Sequence, residues 1–181
     1  MTYYGAKHLA ESFRTVRKNT LAIAEEIPED KYGFKAAPEV MSVGEVLAHL
    51  AVSPMWQIDV HSQKVAALDF AFFGARMAQS KLEEQALRTK PAIVAALKAN
   101  GERFAAFLEG LDEATLASVV SFPPPVQPST KSRFEMLLGP KEHEMHHRGQ
   151  LMLVQRMLGQ VPHLTRARQQ QMQAQAAPGR A

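Results

Sequence analysis

The sequence predicts an all-α protein, a four-helix bundle with at least one crossover connection. Apolar residues recur at three- and four-residue steps in four segments, which is the spacing of an amphipathic helix. No two segments alternate apolar and polar residues in the way that paired strands do. Two of the helical segments follow connections of about twenty residues, and such lengths favour a crossover over a tight turn.

The first two helices have clear limits in the sequence. The first covers residues 9–27 and ends at Pro28. The second begins at Ser42, where Ser42 and Glu45 have the spacing of a capping box. Pro54 is expected to kink this helix without necessarily ending it, because an apolar pattern continues to Val60.

Residues 66–88 are less periodic, and we expect a long connection there with room for a short helix. The third helix begins near Thr89 and Pro91, since proline is tolerated in a first helical turn, and it ends near Leu111.

Four prolines make residues 112–132 a loop with at most pieces of edge strand. The fourth helix covers about 134–158, is broken near Gly139 and Pro140, and stops at Gly159. We therefore expect one bundle domain over residues 1–165 and a flexible, Gln- and Ala-rich tail over 166–181, either frayed helix or disordered.

The composition excludes several kinds of site. The chain of 181 residues is long enough for one domain with a real core. It contains no cysteine, which excludes disulfides, thiolate zinc sites, iron–sulfur clusters and a cysteine nucleophile. Any bound metal must therefore use His, Asp or Glu.

The charge distribution argues against a nucleic-acid partner. The net charge is +3, but the tail holds three arginines and no acidic residue, so residues 1–165 are formally neutral. The first residues are polar where a secretory signal would be apolar, and no run approaches the roughly 20 apolar residues of a membrane span. We expect a cytoplasmic protein that binds neither nucleic acid nor membrane.

A histidine-rich segment carries the clearest chemical signal. Three of the seven histidines lie within five residues, at His143, His146 and His147. Residues four apart share a helix face, so His143 and His147 can bind one cation, and His146 is a spare. His143, Glu144 and His147 also match the zinc-protease motif, but no downstream metzincin histidine or active-site strand accompanies them.

His49 is the candidate third ligand. It follows the capping box by one turn and lies on the apolar stripe of the second helix, so we expect it to point into the bundle. The alternative is that His49 binds no metal and is a single buried histidine whose ring is hydrogen-bonded. Glu144 is adjacent to a ligand in sequence, and we weigh it as a general base, as a partner of a ligand, or as a solvated side chain.

Other residues have simpler interpretations. The long connection contains an aromatic cluster of three residues, Phe70, Phe72 and Phe73. This cluster and Trp56 either form walls of a substrate pocket or pack as a small separate core. His61 and His163 are interpreted as surface residues.

The chain resembles the DinB superfamily, the DinB/YfiT-like bacterial four-helix metalloenzymes, over most of its length to about Thr165. The resemblance implies an up-down-down-up bundle with a long crossover, in which one histidine of the second helix and two of the fourth bind one divalent metal ion. The matching positions are His49, His143 and His147. The segments that carry the resemblance are Glu26-Ile27-Pro28, residues 41–50, residues 143–151, Leu158-Gly159 and Val161-Pro162.

Relatives in this family include thiol S-transferases and a thiol-dependent isomerase, and others have been labelled hydrolases. The resemblance therefore implies a metal-dependent transferase that joins a small, low-molecular-weight thiol to an electrophile. A metal-dependent hydrolase and a non-catalytic, metal-binding structural dimer are the alternatives. Zinc or nickel is the expected ion, because imidazole ligands suit both. A homodimer is the expected assembly.

Overall fold

The structure, a computed structural model, describes residues 4–176 and is mostly helical. The long helices are α1 (Ala6–Glu26), α2 (Val43–Val52), α3 (Met55–Ser62), α4 (Phe70–Ala86), α5 (Lys90–Glu109), α7 (Arg133–Met157) and α8 (His163–Ala176). The short elements are a 3₁₀ turn at Glu29–Lys31, the five-residue helix α6 (Glu113–Ala117), and strands β1 (Val119–Ser121) and β2 (Thr130–Ser132). The predicted all-α class is confirmed.

The capping box at the start of α2 is present as predicted. The Ser42 hydroxyl accepts from the Glu45 backbone N–H at 3.2 Å, and the Glu45 carboxylate accepts from the Ser42 N–H at 2.7 Å. At Pro54 the helix is interrupted, since α2 ends at Val52 and α3 begins at Met55. The missing proline N–H leaves the Leu50 carbonyl without its usual helical donor.

The connection over residues 66–88 is more ordered than the sequence predicted. It contains α4, a helix of 17 residues whose first turn is capped by Asp69, with the carboxylate accepting from the Phe72 N–H at 2.7 Å. No residue of α4 is fully buried. Without a buried face the segment lacks the apolar stripe from which the other helices were recognised.

The fourth predicted helix also differs from expectation. It is the continuous helix α7, and Pro140 lies inside it without ending it. The helix begins with a second capping box, Ser132 with Glu135, and buried residues lie on both sides of the proline. We attribute its continuity to this packing, which offsets the hydrogen bond that Pro140 removes.

The segment before α7 contains the predicted pieces of edge strand, but the prediction of no helix over 112–132 is wrong, because the short helix α6 lies there, capped by Asp112. β1 and β2 form a two-stranded antiparallel sheet, with Val119 opposite Ser132. After α7, helix α8 continues to Ala176 and is exposed from Arg166 onward, so helix crosses the predicted domain boundary at residue 165. Residues 177–181 of the predicted tail lie outside the described residues.

Helix α1 is antiparallel to α5 and parallel to α7. Arg14 in the first half of α1 binds Glu102 of α5, whereas Glu25 near the end of α1 binds Lys98, which comes earlier in α5. Arg17 binds Glu144 in the middle of α7, and Glu26 binds Gln155 near its end.

Helices α2 and α3 pack beside α5 and run parallel to it. Val43 of α2 shares an apolar cluster with Ile93 of α5 at one end of the bundle. Met55 of α3 shares a second cluster with Leu108 of α5 at the other end. These packings bring the end of α2 beside the middle of α7.

No helix within residues 4–176 has the length and hydropathy needed to cross a membrane.

Candidate metal centre

Three histidines from two helices meet where α2 and α7 approach each other. His49 lies in the last turn of α2, and His143 and His147 lie one turn apart on α7. Because residues four apart project from the same helix face, α7 presents both side chains to His49. His49 and His143 are half-buried, and His147 is buried. The structure thus brings together the three histidines that the sequence suggested.

Their ring nitrogens converge. The Nε2 atom of His143 lies 3.1 Å from Nε2 of His49 and 3.1 Å from Nε2 of His147. All three candidate ligand atoms lie within 4.8 Å of one another. Two nitrogens bound tetrahedrally to one zinc ion at 2.0–2.1 Å would be separated by about 3.3 Å. The spacing is therefore close to that of a shared ion.

Neighbouring side chains fix the ring tautomers of two of these histidines. Nδ1 of His49 lies 2.8 Å from Oε1 of Glu84, a carboxylate that can only accept. Nδ1 of His147 lies 2.8 Å from Oε1 of Gln150, which also accepts. Each Nδ1 therefore carries the proton, and the Nε2 lone pair of each ring is directed to the shared point.

The surroundings favour neutral imidazoles at His143 and His147. Burial, and to a smaller extent the like charges of the neighbouring His147 and His49, together lower the pKa of His143 to about 4. Burial is also the main cause of the lowered pKa of His147. Metal coordination requires unprotonated nitrogens, so these shifts keep the site ready for a cation at neutral pH.

His146 lies outside this group, as the helical spacing indicated. Its exposed ring accepts a 3.1 Å hydrogen bond at Nε2 from the Gln150 amide. The same amide side chain accepts from Nδ1 of His147, so Gln150 is hydrogen-bonded to both rings, as donor to His146 and as acceptor from His147.

Glu144 has a different environment from the one a general base needs. Its side chain is 1% exposed, and both carboxylate oxygens accept from the guanidinium of Arg17 at 2.9–3.0 Å. It does not line the cavity beside the histidines. The general-base role considered for Glu144 does not fit this position, because Arg17 binds both oxygens and the side chain is buried outside the cavity.

A cavity of about 670 Å³ opens beside His49 and His143. Its walls are largely apolar and include Trp56, Met77 and Pro140. Polar side chains also line it, among them Ser53, Lys81 and Glu84. The volume is within the range of about 300–1,000 Å³ that small-molecule sites occupy.

The aromatic residues are divided between the two predicted roles. Trp56 lines the cavity and also packs against a small apolar cluster around Val60. Phe72 and Phe73 pack on that cluster, as separate core. Phe70 is 58% exposed.

His61 is buried, so its interpretation as a surface residue is wrong. It is 2% exposed and accepts from Arg133 Nη1 at Nδ1, 2.9 Å away. Its Nε2–H donates to Gln57 Oε1 at 2.9 Å. His163 is half-buried, and its Nε2 donates to Asn19.

Two important residues were not predicted from the sequence. Glu84 lies in the segment that was interpreted as a connection, where an acidic pair on an exposed helix gives no distinguishing signal. Arg17 offered a weak signal, since it interrupts the buried face of α1 between Phe13 and Thr20. A charged residue on a buried face indicates a buried partner elsewhere in the chain.

The donor set fits a borderline divalent ion. Three imidazole Nε2 atoms converge. In two of the rings the opposite nitrogen, Nδ1, is hydrogen-bonded, by Glu84 in His49 and by Gln150 in His147. Such support is typical of metal-binding histidines. Three ligands would leave a position for a further group, the arrangement of catalytic more than structural sites.

Comparisons with known proteins agree with this architecture. No curated protein matches the chain. The crystal structure of a DinB-like protein from Bacillus subtilis, YjoA, is similar to this structure with a TM-score of 0.64 at 24% sequence identity, over 84% of this chain and 92% of that chain. The family described as the DinB superfamily matches residues 12–151, which include all three histidines. The chain therefore belongs to the DinB superfamily.

Proposed function

We propose that this protein is a metal-dependent transferase that joins a small thiol to an electrophile. The observation that carries the proposal is the largely apolar cavity of about 670 Å³ that opens onto His49 and His143. A purely structural metal site needs no such opening. The cavity gives a small molecule direct access to the histidine group.

The three histidines would hold one divalent ion, zinc or nickel, with Glu84 keeping the ring of His49 oriented and Gln150 that of His147. Bound there, such an ion would lower the pKa of a thiol or a water molecule toward neutrality. In the transfer, a carbon–sulfur bond forms while the thiol loses its proton to solvent and the electrophile gives up its leaving group. The balance requires no oxidant or reductant.

The cavity favours thiol transfer over base-assisted attack by water. In that kind of hydrolysis a general base must lie within hydrogen-bond reach of the attacking water. Of the described residues that line the cavity, Glu84 is the only carboxylate, and its Oε1 is already bound to His49. Glu144 is bound to Arg17. A thiol has a much lower pKa than water and needs less help from a base.

The proposal is tested by a substrate screen on protein purified without a His tag. Metal content is measured first, and candidate thiols and electrophiles are then mixed with the protein before and after chelation. We expect thiol consumption that chelation removes and that zinc or nickel restores. Chelator-sensitive hydrolysis without thiol consumption would favour the hydrolase, and a bound metal without either reaction would favour the structural dimer.

The ligand set is tested separately by substitution. We expect His49→Ala, His143→Ala and His147→Ala each to lose stoichiometric metal, because each removes one of the converging Nε2 atoms. His146→Ala is the matched control, since it removes a histidine from the same turn but outside the group. Metal retained by His147→Ala and lost by His146→Ala would contradict the assignment.

The expected homodimer and cytoplasmic location stay predictions. Sedimentation of the purified protein tests the first, and fractionation of the source cells tests the second.

A further inference from the structure

We propose that the cavity binds a carboxylate-bearing, partly apolar small molecule and that Lys81 recognises its negative group. This inference rests on the proposed function, because it names the chemical class of a substrate for that reaction. It follows from the way α4 lines the cavity and from the charges that this helix presents.

One face of α4 forms a wall of the cavity. Met77, Lys81 and Glu84 are four and three residues apart and all line it. Such spacing places side chains on a single helix face, with neighbouring Cβ atoms about 5–6 Å apart. Glu84 lies at the histidine end, since its carboxylate is bound to His49. Lys81 is therefore one turn away from the reacting end of the cavity.

Lys81 is the only lysine or arginine among the described residues that line this cavity. Within residues 4–176 no carboxylate lies within ion-pair distance of its ammonium group. Arg76 on the same helix differs, because it binds Asp59 at 3.0 Å. Glu84, one turn away on this face, is hydrogen-bonded through Oε1 to His49. The ammonium of Lys81 is thus a positive charge on the cavity wall that has no ion-pair partner among the described residues.

The remaining walls define the rest of the ligand. Trp56 and Pro140 are apolar, and Met77 is 72% exposed at the open side. Burial of these apolar side chains against an apolar part of a ligand is favourable. A ligand with an apolar body and one carboxylate would match both features.

Trp56 provides a direct measurement, because it is the single tryptophan of the chain and lines the cavity. We would titrate the purified protein with 3-phenylpropionate and with its neutral analogue, 3-phenylpropionamide, while following tryptophan emission. The wild type should bind the carboxylate about fivefold more tightly than the amide, the size of one partly exposed charge pair. Equal affinities, or no binding of either probe, would overturn the proposal.

Substitutions then assign the preference to one residue. Lys81→Met should bind both probes with the affinity of the amide, and Lys81→Arg should retain the preference. Lys18→Met is the matched control, since Lys18 is an exposed lysine of α1 that does not line this cavity. A preference that survives in Lys81→Met, or one lost in Lys18→Met, would overturn the role of Lys81.

The same titration after chelation excludes coordination of the carboxylate by a metal. The preference should persist, and its disappearance on chelation would contradict the proposal. The result is separable from the thiol-transfer assay. A carboxylate preference without any thiol transfer would overturn the proposed reaction alone, and thiol transfer without the preference would overturn the role of Lys81 alone.

Discussion

Arg17 of α1 and Glu144 of α7 form a buried bidentate ion pair, with side chains 5% and 1% exposed. The guanidinium also donates to the backbone carbonyls of Leu50 in α2 and Leu97 in α5, each at 2.8 Å. The Leu50 carbonyl is available because Pro54 has no N–H to offer it. One side chain therefore connects four helices, at positions adjacent in sequence to His49 and His143 of the candidate metal site.

Glu144→Gln should destabilise the fold more than it affects chemistry in the cavity. The substitution leaves the Arg17 charge buried without its counter-ion, which typically costs about 3–5 kcal/mol. We expect a lower free energy of unfolding in urea, with one metal ion still bound to the folded protein. Glu142→Gln, an exposed position on the same helix, is the control and should change stability by less than about 0.5 kcal/mol. A Glu144→Gln protein that is fully stable but inactive would restore the general-base role.

Gly101 allows Arg17 to reach its partners, and Gly101→Ala tests this. A Cβ atom at position 101 would lie 2.9 Å from Cγ of Arg17, whose guanidinium is held on three other helices. We expect a lower melting temperature, although alanine is normally the better helix former by about 1 kcal/mol. Gly74→Ala in α4 is the control, since no atom of residues 4–176 lies within 4 Å of a Cβ added there, and it should stabilise the protein. A stabilising Gly101→Ala would show that Arg17 moves aside without cost.

Glu84→Gln should weaken metal binding without abolishing it. The carboxylate fixes the His49 tautomer and raises the basicity of its Nε2, and loss of such a partner typically reduces metal affinity by about 10–100-fold. Competition with a chromophoric chelator would measure the change. Glu83→Gln is the matched control, because that carboxylate binds Gln79 and no histidine. Equal losses in the two variants would mean that general negative charge, and not the contact with His49, sets the affinity.

The sequence was informative where a local pattern has one physical cause. Capping at Ser42 depends on residues three apart, and the pairing of His143 with His147 depends on helical periodicity. Both are readable without tertiary information.

The sequence was less informative where partners are far apart in the chain. Arg17 and Glu144 are separated by 127 residues, and His49 and Glu84 by 35. Helix α4 went largely unrecognised because it buries no residue, so its formation depends on the cap at Asp69 and on propensity. The continuity of α7 through Pro140 was missed for a related reason, since it depends on packing by other helices.

The buried neutral histidine His61 should make stability fall in mild acid. Its Nδ1 accepts from Arg133, which is always charged. Protonation of Nδ1 would turn that nitrogen into a donor facing the N–H donor of Arg133. Burial is the larger cause, and the Arg133 charge the smaller, of a pKa lowered to about 4. Between the usual value of about 6.5 and this lowered value, the unfolded chain binds a proton that the folded protein does not. The free energy of unfolding should therefore be unaffected by this group above pH 6.5 and should decrease as the pH falls toward 4.

Urea unfolding of the wild type and of His61→Gln at several pH values between 7 and 4.5 measures this contribution. Other histidines with lowered pKa values, such as His143 and His163, act in the same direction in both proteins, so the difference between the two curves isolates His61. The wild-type curve should be steeper by at most about 1.4 kcal/mol per pH unit, which is the effect of one proton. Glutamine keeps an acceptor for Arg133 and a donor for Gln57 but does not titrate in this range. Parallel curves would show that His61 is protonated with an ordinary pKa, and the hydrogen bond from Arg133 would then have to be absent in solution.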